Sequence, residues 1–160
     1  MGLNALVVCL FEESEALEYL AFKLEQEQLV LAAGRPRLLA RNSAEFAAAV
    51  KALDDVSRRR EQLVEIAAAE LGLGPGTTLS ALAEAATDED ERRVLAERRR
   101  VMREQVGRIG GLCATNREIL ARNLAATTDA LALLGESPSY TAQATTTVSP
   151  ARARVLDARA

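Results

Sequence analysis

Residues 3–31 read LNALVVCLFEESEALEYLAFKLEQEQLVL. Leu stands at 3, 10, 17, 24 and 31, a strict seven-residue repeat. Leu6 and Leu20 form a companion seam that Glu13 and Glu27 interrupt. One apolar stripe with this period belongs to a long helix of the coiled-coil kind. Gly34-Arg35-Pro36 follows. Gly suits a helix C-terminus and Pro the first turn of the next helix. The break is either a chain reversal or a sharp kink, and the reading adopted is the reversal.

From Pro36 the pattern resumes. Leu39, Phe46, Leu53 and Ala67 repeat by sevens, joined by Val56 and Leu63, with Arg60 breaking the seam. Gly72-Leu73-Gly74-Pro75-Gly76 ends this helix near Leu71, and Thr78 can cap a short helix through Ala86. Thr87-Asp88-Glu89-Asp90-Glu91 opens the last helix. Thr followed three residues later by Asp approximates a capping box, with the acids at the positive end of the helix dipole. Apolar positions then run through Leu95, Met102, Val106, Ile109, Cys113, Leu120, Ala130 and Leu134. Such a helix has about 47 residues and spans roughly 70 Å, against roughly 46 and 54 Å for the first two. Part of its apolar face therefore lacks a partner within the chain.

These elements predict an all-α fold of long antiparallel helices in a coiled-coil-like bundle. The domain is expected over residues 1–134, with helices about 3–33, 36–71, 79–86 and 88–134. Residues 135–160, opened by Gly135-Glu136-Ser137-Pro138 and rich in Thr, Ala, Arg and Ser, are expected to form a flexible tail. They hold too little apolar surface to offset ordering entropy.

Composition agrees. The chain has 160 residues, 49% hydrophobic but only 3% aromatic, so its core is aliphatic and suited to helices. All but Lys23 and Lys51 of the 20 basic residues are Arg. Net charge is -3, so no overall positive field draws the chain to nucleic acid or anionic lipid. The runs Arg58-Arg59-Arg60 and Arg98-Arg99-Arg100 sit among acids and read as solvated, salt-bridged faces. Cys9 and Cys113 have no metal-ligand spacing and read as buried free thiols. The apolar run Leu3–Phe11 has no basic flank and is too short to span a bilayer. A reducing cytoplasm is the expected compartment, without membrane insertion.

Histidine is absent. That removes His-based nucleophilic sites, HExxH zinc sites and Glu-x-x-His di-iron sites. The helix-surface carboxylates have no pocket residues beside them, so no catalytic residue, cofactor or metal is expected. The loop at Gly72–Thr78 lacks the Gly-Lys-Ser/Thr ending of a phosphate loop and no strand precedes it. No basic region precedes the leucine repeat, which excludes a basic zipper.

Asn116 and Asn123 stand one heptad apart on the seam of the last helix, beside Cys113, Leu120 and Thr127. Polar seam residues can fix register inside a bundle. Alternatively they line a groove and bond a docked helix.

The chain resembles the FlgN-type flagellar export chaperones, which escort the hook–filament junction proteins. The likeness begins with the long Leu- and Glu-rich first helix and its break at Gly34-Arg35, where Arg replaces the family's acid. It continues through Leu71-Gly72-Leu73-Gly74-Pro75 and Thr78-Leu79. In the last helix, Asn116-Arg117-Glu118-Ile119-Leu120 matches the second Asn and the aliphatics of the family motif. Cys113 stands where the first Asn is expected and Arg117 where Gly is common. Ser139-Tyr140 resembles the tail tyrosine. The resemblance implies a non-enzymatic chaperone that binds the amphipathic C-terminal segment of hook-associated proteins and keeps them from assembling early. It implies a cargo face of Asn116, Ile119, Leu120, Asn123, Leu124, Thr127, Leu131 and Leu134. It also implies docking of Tyr140 on the cytoplasmic domain of the flagellar export gate. Self-association of the free chaperone as a homodimer is a further expected partnership. The rival reading is a structural coiled-coil adaptor or oligomerisation module, whose heptads bury against a copy of itself.

Overall fold

The structure, a computed structural model, describes residues 2–135. Four helices follow in order: α1 (Gly2–Ala32), α2 (Pro36–Glu70), α3 (Leu79–Ala85) and α4 (Glu89–Leu133). The fold is all-α, as the periodicity requires. The tail lies outside the described residues apart from Gly135.

The chain reverses after α1. Gly34 takes a left-handed φ of 62°, a conformation that costs Gly little, and Arg35 donates its amide to the Val30 carbonyl at 3.3 Å. α2 then returns antiparallel to α1. Near the bottom of this hairpin the Gly2 amide donates to Glu70 Oε2 at 2.9 Å. Near the top, Lys23 Nζ reaches Glu45 Oε2 at 2.7 Å. Thr78 caps α3, its hydroxyl accepting from the Ala81 amide at 3.2 Å. The cap of α4 is Asp88 and not Thr87. Asp88 Oδ1 accepts from the amides of Asp90 (2.7 Å) and Glu91 (3.4 Å). A carboxylate bonds these amides and offsets the helix dipole together, which a threonine hydroxyl does not.

α4 runs parallel to α1. Ser14 bonds Gln105, Asn116 bonds Leu24 and Asn123 bonds Leu31, at chain separations of 91, 92 and 92 residues. Successive long helices thus alternate in direction, with α1 packed against both α2 and α4, and α3 lying against α4. The core holds Leu6, Leu10, Leu17, Leu20 and Leu24 of α1, Phe46, Leu53 and Ala67 of α2, Leu79 and Leu82 of α3, and Leu95, Met102 and Ile109 of α4. Each such Leu contributes about 1.5–3 kcal/mol by leaving water.

The first Arg run departs from the solvated face expected of it. Arg58 pairs with Asp54 on its own helix, but Arg59 reaches Glu12 and Arg60 reaches Glu13, both on α1. In the second run, Arg98 lies over the Phe11 ring at 4.1 Å, and Arg100 pairs with Glu97 and Glu104. Cys9 is buried, while Cys113 is only half-buried.

Candidate functional site

The constant α1–α4 register sets how far α4 overhangs. Asn123 stands level with Leu31, and α1 ends at Ala32. Residues 124–133 therefore project past α1 by about 15 Å at 1.5 Å per residue. The sequence supplies Leu at 124, 131 and 133 in this overhang, and Leu134 caps its end. Leu124 is 49% exposed, Leu133 88% and Leu134 76%. Leu131 is half-buried.

Below the overhang, α4 and the α1–α2 hairpin tip enclose an open groove. Its larger chamber, about 470 Å³, is lined by Val30, Leu31 and Arg35 of the tip, Leu39 of α2, and Leu120, Asn123 and Thr127 of α4. A smaller chamber of about 140 Å³ continues down α4 past Leu24, Glu27, Ser43, Cys113 and Asn116. Leu31, Leu39 and Leu120 line both, so the two are one apolar trough with polar groups at its walls.

Asn116 is buried. Its Nδ2 donates to the Leu24 carbonyl at 2.9 Å and to Glu27 Oε2 at 3.0 Å, while its Oδ1 is buried without a partner among the described residues. Asn123 Nδ2 donates to the Leu31 carbonyl at 3.2 Å. Both amides thus bond α1, one heptad apart, and hold α4 in register. Thr127 Oγ1 donates to the Asn123 carbonyl at 2.8 Å and is spent on its own helix. Leu120 is 49% exposed in the trough, and Ile119 beside it is half-buried. Leu120, Asn123 and Thr127 therefore meet at the trough. Leu124, Leu131 and Leu134 extend it along the overhang. Tyr140 lies outside the described residues.

Sequence reading missed the opposite wall. Val30, Leu39 and Arg35 reach the trough only because the chain reverses at Gly34. Leu39 reads locally as one more seam residue. Leu133 was missed because it falls between seam positions.

A protein-family model described as FlgN protein matches residues 1–146. The chain belongs to the FlgN family. This is a family of flagellar export chaperones and not of enzymes. No curated protein and no solved structure matches the chain. Among the described residues, no helix is long and apolar enough to cross a membrane, and no cluster of His, Cys, Asp or Glu is placed to hold a metal ion.

Proposed function

We propose that this chain is a cytoplasmic chaperone that binds the amphipathic C-terminal segment of hook-associated proteins, blocks their premature assembly and delivers them to the export gate. The observation that carries the reading is the α4 overhang, with Leu124, Leu133 and Leu134 exposed beside an apolar trough. An amphipathic helix laid along this side of α4 buries one apolar face, the helix-in-groove mode of recognition. Ile119, Leu120, Leu124, Leu131 and Leu134 form the apolar contact, with Thr127 at its edge. Asn116 and Asn123 contribute by holding α4 against α1, so that the trough is preformed. Tyr140, six residues past Leu134, docks on the cytoplasmic domain of the export gate.

The test is co-purification of a hook–filament junction protein with the tagged chain. Leu131→Asp abolishes it while helicity by circular dichroism stays nearly intact. Capture undiminished by Leu131→Asp removes this side of α4 from the site.

A further inference from the structure

The smaller chamber of the trough holds a charge that the chain does not balance. Its walls are largely leucine: Leu24, Leu31, Leu39 and Leu120. Glu27 of α1 stands among them, half-buried. Its one hydrogen bond among the described residues comes from Asn116 Nδ2, at 3.0 Å to Oε2. Glu12, Glu13, Glu18 and Glu25 of the same helix each meet an arginine of α2 or α4. Glu27 meets none among the described residues. Arg117 lines the chamber but is exposed and makes no ion pair among the described residues. Arg35 lines only the larger chamber. The chamber also holds a second spare acceptor. Asn116 is 5% exposed, and its Oδ1 is buried without a partner among the described residues.

The free chain tolerates this arrangement because the trough is open and Glu27 keeps part of its surface in water. A docked helix changes the balance. Closing the trough takes Glu27 out of water, and a carboxylate in an apolar site is costly unless a cation and hydrogen-bond donors meet it. We propose that Glu27 selects the cargo: the amphipathic helix docked along α4 carries an arginine or lysine on its buried side, which enters the smaller chamber and pairs with Glu27. This rests on the chaperone reading above and names the chemistry that the trough takes. The leucine walls cover the aliphatic stem of such a side chain while its charged head reaches the carboxylate. Arginine suits the chamber best, because its planar fork donates to two acceptors at once, and Asn116 Oδ1 is the spare one. A helix with no basic residue at this place buries Glu27 unpaired, so it is discriminated against however apolar its face.

Calorimetric titration with a peptide of the C-terminal segment of a hook–filament junction protein tests it. The full-length chain is expected to bind the peptide. Glu27→Gln, which keeps an acceptor for Asn116, is expected to bind it about thirtyfold more weakly with helicity unchanged, the loss for one partner of a buried charge pair. Replacing one basic residue of the peptide by Met produces a similar loss, and Glu27→Gln then costs little further. Arg117→Ala leaves the affinity within about twofold, as loss of an exposed charge does. Full binding to Glu27→Gln, or tight binding of a peptide with every basic residue replaced, overturns the proposal and leaves the cargo reading standing. A loss in Arg117→Ala equal to that in Glu27→Gln also overturns it, because the chain then supplies the cation itself. No binding by the unaltered chain overturns the cargo reading and this proposal with it.

Discussion

Glu13 Oε2 of α1 lies 2.7 Å from Arg60 Nε of α2, with side chains only 5% and 12% exposed. Glu13 is one of two acids that interrupt the companion seam of α1, and Arg60 breaks the seam of α2. Each interruption is the other's partner, and Ser57 Oγ adds a hydrogen bond to Glu13 Oε1 at 2.7 Å. The pair fits the hairpin to one register, because a slip of either helix buries both charges unpaired.

The first prediction follows. Arg60→Leu alone destabilises the fold by about 3 kcal/mol or more, because Glu13 is left buried and uncompensated. Glu13→Leu combined with Arg60→Leu recovers most of that loss. Urea titrations followed by circular dichroism measure both. A single substitution costing under about 1 kcal/mol shows instead that water screens the pair, as at a surface site.

The two seam asparagines differ in burial, so they differ in consequence. Asn116→Ala costs about 1–2 kcal/mol, the range for a buried hydrogen-bonding side chain. Asn123→Ala, at an exposed position, costs within about 0.5 kcal/mol. Equal losses at both positions in thermal or urea unfolding contradict the register role given to Asn116.

Cys113 lines the smaller chamber while Cys9 is buried, so a thiol reagent reports on the trough without added labels. Cys113 is expected to react first. Cargo at ten times its dissociation constant slows that reaction on the order of tenfold, since only the free fraction reacts. Mass spectrometry of the alkylated chain follows it. An unchanged Cys113 rate under saturating cargo places the cargo elsewhere.

The pH dependence of stability follows from the carboxylates. The Lys23 ammonium, with Arg41, holds the Glu45 carboxyl below its ordinary value of 4.5. The Gly2 amide does the same for Glu70, and Arg100 for Glu97. A carboxyl depressed in the folded state binds its proton more readily when unfolded. Its contribution is thus complete above about pH 4.5 and disappears as pH falls through the folded value. Lys23 is raised from 10.5, chiefly by its bond to Glu45. Its contribution is complete below about pH 10.5 and is lost only as pH climbs through the raised value. With no histidine in the chain, the melting temperature is expected to stay nearly level from pH 6 to 9 and to fall on acidification below about 4.5. Glu45→Gln makes the acid limb shallower. A step near pH 6.5 runs against this account.

Tyr140→Ala leaves the melting temperature unchanged and impairs swimming in soft agar if the tail residue docks on the gate. Normal swimming by that variant removes Tyr140 from the delivery step.

The first leucine repeat, the Gly34-Arg35-Pro36 break and the Gly-rich loop after Leu71 were enough to set the fold class. Helix period, caps and breakers are local properties of the chain, and each acts within a few residues. The length of α4 relative to its neighbours was legible for the same reason, and with it the surplus of apolar surface that makes the α4 overhang a candidate site. Three things were decided only by the folded chain. Arg59 and Arg60 look like part of a solvated run until α2 is laid against α1, where acids of another helix meet them. Asn116 and Asn123 satisfy both readings in sequence, and only the parallel register of α4 on α1 spends their amides on the Leu24 and Leu31 carbonyls. The exposure of Val8, Phe11, Tyr19, Phe22 and Leu29 is not written in the sequence, because local periodicity records that a residue is apolar but not whether a neighbouring helix arrives to cover it. Covering is a long-range event, set by where α2 and α4 come to lie, and they pack on the leucine side of α1 and leave the aromatic side half-exposed, with only Arg98 of α4 reaching over the Phe11 ring.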